Sequence, residues 1–296
     1  MKSLVRNKRT LALIRLMDDP DASVYEAVEK ELLKETSRII PELESVWETT
    51  YDENCQARIE NIIHRLNFKE NYKLFRKWSR QDDPDLLEGF IIASKYHYPD
   101  LNADRILRRI EDIRKKVWVE LNNSLTSLEK VTVLNHIFFQ EFGFSVDHEN
   151  YYAPRNCFLN QIMETGMGNP VSIALLYTII GQKLGLPIGF VDIPKHPLLA
   201  YVDKRIAAKV HPEGVETDVL FYINASNKGS ISGRRELEFQ LRRSGLEPLK
   251  RFFEAGSSRN FLSRLLEVTE KSYELNGLSN KTADIHQMLS ILNSGK

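Results

Sequence analysis

Apolar side chains fill almost every turn of the stretch from Pro170 to Leu184, and this stretch limits what the chain can fold into. A helix that is apolar on all sides must be buried, so the pattern predicts the centre of a sizeable core. Pro170 is predicted to be its first residue, because the first position of a helix needs no N–H donor. The apolar positions are Ile173, Ala174, Leu175, Leu176, Ile179 and Ile180.

Short strand-like segments follow the helix after Gly185. β-Branched and aromatic residues are frequent over 186–193, 197–202 and 218–223. A buried helix followed by such strands predicts an α+β core, in which the helix packs on a small antiparallel sheet. We place this core at residues 86–245.

Helical patterns flank the core on both sides. The tetrapeptide Asp-Asp-Pro-Asp occurs at 18–21 and at 82–85, each time before apolar residues with helical spacing. Carboxylate caps and paired helices predict a HEAT-like segment over 1–85, and capping is favoured over the alternative of a divalent metal site. Two helical patterns separated by Asn276-Gly277 predict a tetratricopeptide-like pair over 246–296.

The charge balance argues against several partner classes. Lys plus Arg and Asp plus Glu both number 41, whereas a non-specific nucleic-acid or anionic-membrane binder usually carries a basic excess. The basic face of the predicted helix 102–121 is interleaved with Glu111 and Asp112, which favours a solvated face over a nucleic-acid surface. No long apolar span or leader is evident, so we expect a cytoplasmic protein with no membrane contact.

The two cysteines and seven histidines show no metal-ligand spacing, so no metal or cofactor is predicted. Cys157, His196 and Asn224 nevertheless occur in the chain order used by papain-like and transglutaminase-like thiol enzymes. In such enzymes a histidine on a strand deprotonates a cysteine, and an Asp or Asn orients the imidazole. One hypothesis is therefore a cysteine hydrolase or acyl transferase that uses these three residues.

Pro170 argues for the opposite hypothesis. Thiol enzymes of this layout place the nucleophile at the start of the buried helix, where backbone N–H groups and the helix dipole stabilise a thiolate. Pro170 supplies neither a thiol nor an N–H. Cys157 precedes that helix by more than a dozen residues, and its simplest interpretation is a small buried thiol.

From about Glu88 to Leu292 the chain resembles the SirB-type family of transglutaminase-like proteins. Specific motifs carry the resemblance: Tyr98-Pro99-Asp100-Leu101, Tyr152-Ala153-Pro154-Arg155-Asn156-Cys157-Phe158-Leu159-Asn160, Gly168-Asn169-Pro170, Gly185-Leu186-Pro187, Pro194-Lys195-His196 and Arg264-Leu265-Leu266. The resemblance implies a transglutaminase-like core with a tetratricopeptide-like tail. It also implies that proline is usual at the position of Pro170 and serine at that of Cys157.

Departures from the family pattern surround the same site. The family's Gly-His-Phe is replaced by Lys195-His196-Pro197, and its Asp-Pro is replaced by Asn224-Ala225. We therefore expect a degenerate, non-catalytic domain that binds a protein or peptide partner. The sequence leaves open the partner's identity and the oligomeric state.

Overall fold

A computed structural model describes residues 9–194, 197–211 and 217–293. The chain divides into two compact units, Met1–Phe75 and Arg76–Lys296. His196 of the predicted thiol arrangement lies outside the described residues.

Helices make up the described part of the first unit. After a helical turn at 9–14, they are α1 (Ala22–Leu32), α2 (Ile40–Thr49) and α3 (Glu53–Ser79), whose last residues belong to the second unit. The side chain of Asp21 caps α1 by accepting a hydrogen bond from the N–H of Ser23 at 2.8 Å. Capping by the first Asp-Asp-Pro-Asp sequence is thus confirmed. The apolar faces close over a core of aliphatic residues that includes Ile14, Leu32, Leu43, Ile59 and Ile62.

The second unit begins with amphipathic helices. They are α4 (Leu86–His97), α5 (Ala103–Glu120) and α6 (Ser127–Asn135), which continues into a π-helical turn at His136–Glu141. Asp85 caps α4 through the N–H of Glu88, and Thr126 forms the predicted capping box with Glu129. The apolar stripe of α5 is buried, which leaves its basic residues on the outer face, as predicted.

The predicted central helix is present. It is α8 (Pro170–Lys183), and each of its first twelve residues is buried. Strands β1 (Ser145–Val146) and β2 (Met167–Gly168) pair in parallel beside it, and α7 (Leu159–Thr165) leads into β2. The prediction of a fully buried helix that starts at the proline is therefore confirmed.

An antiparallel sheet packs against α8, in the order β3 (Ile188–Val191), β4 (Leu198–Val202), β5 (Val219–Asn224) and β6 (Ser230–Ser232). Val191 pairs with Leu198 and Leu199 pairs with Ile223, so the end of β3, the start of β4 and the end of β5 lie at the same end of the sheet. Helix α9 (Lys204–Val210) links β4 to β5, and α10 (Arg234–Arg243) follows β6. The predicted α+β class is confirmed.

The tail forms two helices, α11 (Ser258–Leu275) and α12 (Ser279–Asn293), which pack against each other. Long-range bonds attach them to the end of α4. The Nδ1 of His97 lies 2.6 Å from the hydroxyl of Tyr273, and the hydroxyl of Tyr96 donates to Asp284 at 3.0 Å. The tail is therefore part of the second unit's core.

Within the described ranges, no helix is both long enough and apolar enough to cross a bilayer. The HEAT-like and tetratricopeptide-like descriptions, and the boundaries 1–85, 86–245 and 246–296, stay predictions.

Candidate functional site

The start of α8 is closed by its own capping residue. Asn169 is fully buried, and its Oδ1 accepts the N–H groups of Val171 at 3.0 Å and Ser172 at 2.9 Å. Pro170 takes the first helical position and has no N–H to offer. The donors that would stabilise an anion at this helix start are therefore used within the protein.

Cys157 lies next to this cap but is not activated by it. It ends a 3₁₀ turn at Pro154–Cys157, is 1% exposed, and accepts a hydrogen bond from the Nδ2 of Asn169 at 3.2 Å. Burial raises the pKa of the Cys157 thiol to about 11, although its side-chain hydrogen bonds with Thr269 and Asn169 act in the opposite direction. At neutral pH the sulfur is a protonated thiol, whereas a nucleophilic cysteine must be a thiolate.

Ser172 also lies near the helix start, and it too is fully buried. Its hydroxyl donates to the carbonyl of Asn156 at 2.6 Å, which fastens the 3₁₀ turn to α8. Ser172 is therefore a structural donor.

Asn224 ends β5 and has a local structural bond. Its Oδ1 accepts the N–H of Ser226 at 3.0 Å and caps the turn that follows the strand. Its side chain lines a cavity together with Ile193 and Leu198. Since His196 lies outside the described residues, the arrangement of Cys157, His196 and Asn224 stays a prediction.

A cleft of about 500 Å³ opens beside the first turn of α8, and we call it the α8 cleft. Its walls come from the segment before the 3₁₀ turn, the start of α8, α11, and two residues beside the sheet, Ile193 after β3 and Pro197 before β4. Its lining residues are Tyr151, Tyr152, Val171, Ile193, Pro197, Arg264, Glu267, Val268 and Lys271. The rings of Tyr151 and Tyr152 meet edge to face at 4.7 Å, and 43% of Tyr152 is exposed.

Charged side chains at the cleft are mostly paired. The guanidinium of Arg264 donates to Asp192 through Nε at 2.8 Å and lies 2.9 Å from Glu267 through Nη1. Lys271 pairs with Glu274 at 2.9 Å. The cleft thus combines an aromatic and aliphatic surface with fixed, largely neutralised charges.

Sequence reasoning did not identify most of the cleft. Arg264 belonged to a motif of the resemblance, but no sequence signal pointed to its partner Asp192, 72 positions away. Tyr151 and Val268 carry no motif that marks them as site residues. Their place in the cleft depends on the approach of α11 to the start of α8, which local sequence patterns do not encode.

No group of three or more His, Cys, Asp or Glu residues in the described parts of the chain is arranged to hold a metal ion.

Comparisons with known proteins agree with this architecture. A family model described as the transglutaminase-like superfamily matches residues 104–267, more than half of the chain. The UPF0162 protein of Xylella fastidiosa is 31% identical over 114 residues, which are 38% of this chain and 41% of the relative. F-box only protein 21 of Homo sapiens is 29% identical over 206 residues, which are 62% of this chain and 32% of that protein.

The chain spans less than half the length of these curated relatives. No solved structure matches it. The family match covers α8, the four-stranded sheet and the first half of α11, so it includes the helix start and every lining residue of the α8 cleft except Val268 and Lys271. The resemblance is confirmed at this level: the chain belongs to the transglutaminase-like superfamily.

Proposed function

We propose that this protein is a non-catalytic transglutaminase-like protein, a pseudoenzyme, that binds a protein or peptide segment in the α8 cleft. The observation that carries the proposal is the closed helix start, where Pro170 replaces a nucleophile and Asn169 occupies the backbone donors. We also propose that the chain is of the SirB-type and acts in the cytoplasm. In this proposal HEAT-like helices over 1–85 and a tetratricopeptide-like pair over 246–296 flank the 86–245 core and add binding surface.

Covalent acyl chemistry needs a thiolate and donors for the oxyanion. At the start of α8, Pro170 has no nucleophilic atom, and the N–H groups of Val171 and Ser172 already bond to Asn169. The alternative, a cysteine hydrolase or acyl transferase that uses Cys157, His196 and Asn224, requires the Cys157 sulfur to reach a substrate. Cys157 is only 1% exposed, and burial raises the pKa of its thiol to about 11. Both observations argue against that chemistry.

The α8 cleft has the properties of a binding surface. Its volume of about 500 Å³ lies within the usual range of roughly 300–1,000 Å³ for ligand sites. Tyr152 and Val268 offer contact area to an apolar side chain, and Arg264 is held by two carboxylates. A rigid tyrosine-rich wall gives large contact area at a low cost in conformational entropy.

Selection of random displayed dodecapeptides on the full chain tests the proposal. We expect peptides to be enriched on the wild type and to lose binding at least tenfold on Val268→Arg, which places a long charged side chain in the cleft. Leu275→Arg is the matched control, because Leu275 is 57% exposed on the same helix and does not line the cleft. Its affinity is expected to stay within twofold of the wild type.

Mass spectrometry of an enriched peptide after incubation with the protein separates the two hypotheses. The proposal expects an intact peptide and an unmodified protein. Hydrolysis of the peptide, or an acyl adduct on Cys157, would establish the enzyme instead, provided that Cys157→Ala abolishes the product.

A further inference from the structure

A second cavity, of about 270 Å³, lies between the ends of β4 and β5 and the helix α10, and we call it the α10 pocket. It shares Ile193 with the α8 cleft but is otherwise lined by different residues. They are Ile193, Leu198, Asn224, Leu237, Gln240, Leu241, Arg243, Ser244 and Leu246.

The inner half of the α10 pocket is aliphatic and fixed. Ile193, Leu198, Leu237 and Leu241 are each less than 7% exposed and belong to one buried cluster under the sheet. Since these walls are part of the core, the pocket is preformed. It offers an aliphatic group a dry place that needs no rearrangement.

The outer half carries hydrogen-bond donors that have no internal acceptor. The Oδ1 of Asn224 is held by the N–H of Ser226, and this bond fixes the orientation of the amide. Within the described residues, the Nδ2 of Asn224 has no acceptor, and the exposed Arg243 has no carboxylate partner. By contrast, Arg264 in the α8 cleft is paired with two carboxylates.

Gln240 adds an acceptor at the mouth. Its Nε2 donates to Glu236 at 3.3 Å, which leaves its Oε1 available to a ligand N–H. The pocket therefore presents two kinds of donor, one acceptor and an aliphatic floor within a volume suited to a single residue. A carboxylate beside an N–H and an aliphatic side chain is the chemistry of a peptide's last residue.

We propose that the α10 pocket binds the C-terminal carboxylate of a peptide whose last residue is aliphatic. The guanidinium of Arg243 and the amide Nδ2 of Asn224 bind the carboxylate, and Gln240 accepts the N–H of the last residue. The side chain of that residue enters the space between Leu198, Leu237 and Leu241. Gln240, Arg243 and Ser244 are exposed, so the rest of the peptide leaves through an open mouth. This site does not depend on binding in the α8 cleft.

A library of hexapeptides with free C-termini, randomised at the last four positions, provides the probe. The best binder is labelled at its N-terminus, and its affinity for the full chain is measured by fluorescence anisotropy. We expect selection for Leu, Ile or Val at the last position, and at least tenfold weaker binding when the C-terminus is amidated, because a charge-assisted bond is lost.

Three variants locate the site. Arg243→Ala is expected to weaken binding at least tenfold, whereas Arg242→Ala, at the exposed neighbouring position outside the pocket, stays within twofold. Asn224→Asp retains an oxygen to accept the N–H of Ser226, so the turn is preserved, but it replaces the Nδ2 donor with a negatively charged oxygen. We expect a loss of at least tenfold.

Equal affinity for the amidated peptide overturns the proposal, and so does an Arg243→Ala variant that behaves like Arg242→Ala. The last measurement is the affinity of the full chain for free 4-methylpentanoate, a small branched carboxylic acid without a peptide N–H. If it binds as tightly as the peptide, the pocket serves a small branched acid and the peptide assignment is wrong. Val268→Arg in the α8 cleft is expected to leave this peptide's affinity unchanged, so the two binding proposals succeed or fail separately.

Discussion

The Nδ2 of Asn169 lies 3.2 Å from the Sγ of Cys157, while the Oδ1 of the same amide accepts two backbone N–H groups of α8. One buried side chain thus caps the central helix and holds the thiol beside it. The same amide that closes the helix start also positions Cys157, so the sulfur and the helix donors are not available together to a substrate.

Replacing Asn169 should show how much the fold depends on this cap. Asn169→Ala leaves two buried N–H groups without acceptors, and we expect a loss of about 2–4 kcal/mol in the free energy of unfolding. Urea denaturation measures it. Thr126→Ala removes an exposed cap from α6 and should cost only about 1 kcal/mol. Equal losses for the two variants would contradict a special role for the buried cap.

The raised pKa of Cys157 predicts a specific loss of stability in alkali. The ordinary pKa of a cysteine thiol is 9.0, and burial raises that of Cys157 to about 11 in the folded state. As the pH rises, the unfolded chain therefore loses this proton before the folded protein does. The protonated thiol makes its full contribution to the free energy of unfolding below pH 9, and this contribution is lost as the pH rises through 11. We expect wild type to lose about 2 kcal/mol more than Cys157→Ser between about pH 8 and about pH 10.5.

Urea unfolding of both proteins at the two pH values gives this difference, because their remaining tyrosines and lysines titrate alike. Equal losses in the two proteins would show that the Cys157 thiol ionises as readily in the folded state as in the unfolded chain.

The lowered pKa of His97 predicts that the protein loses stability as the pH falls below neutral. Burial, and then the charge of Lys281, lowers the pKa of His97 from 6.5 to about 4. As the pH falls, the unfolded chain takes up this proton before the folded protein does. The neutral His97 ring makes its full contribution to the free energy of unfolding above pH 6.5, and this contribution falls as the pH drops towards 4. Because the His97 ring is partly exposed, we expect this group to account for a loss of only about 1–2 kcal/mol in the free energy of unfolding.

The variant His97→Phe keeps the ring stack on Phe158, whose centroid lies 4.7 Å from that of His97. It should be less stable at about pH 8, since the Tyr273 hydroxyl loses its partner, but it should lose less stability than wild type between about pH 7 and about pH 4.5. Thermal unfolding across this range measures the slope. Parallel slopes would assign the acid sensitivity to other groups.

Gly229 and Gly245 form a natural pair for testing a close approach. Both have a φ of +74°, but a Cβ on Gly229 would overlap the side-chain amide of Asn135, whereas one on Gly245 would meet open space. Asn135 also accepts the hydroxyl of Tyr177 at 2.8 Å and donates to the carbonyl of Gly229 at 2.9 Å. Gly229→Ala must disturb all of these contacts.

We expect Gly245→Ala to cost about 1 kcal/mol, because alanine is disfavoured in a left-handed backbone. Gly229→Ala should cost about 3 kcal/mol or more, since it adds a clash and an orphaned buried hydroxyl. Chemical denaturation of both variants isolates the contribution of the close contact. A difference below about 0.5 kcal/mol would show that Asn135 moves aside freely.

The sequence predicted the core elements best where one physical signal dominated. The all-apolar pattern and Pro170 located α8, and the cap–glutamate spacing located the start of α6. The strands predicted at 197–202 and 218–223 are β4 and β5, displaced by a single residue at one or both ends. Each of these elements is specified by residues close together in the chain, so its pattern can be recognised in the sequence.

Local sequence patterns could not predict the π-helical turn, the two shortest strands or the two cavities. The π-helical turn after Asn135 has the same apolar spacing as a helix, and β1 and β2 have only two residues each. Both cavities bring together segments that are far apart in the chain, such as Tyr152 and Lys271 in the α8 cleft. Pairings over such separations depend on tertiary packing, which hydrophobic periodicity does not specify.

The attachment of α12 to α4 determines when the second unit can finish folding during its synthesis. Tyr96 leaves the ribosome 188 residues before Asp284, the acceptor of its hydroxyl. At about 5–20 residues per second this interval lasts about 10–40 s. During this interval α12 cannot pack on the end of α4, so the native core of the second unit closes only after α12 has been translated.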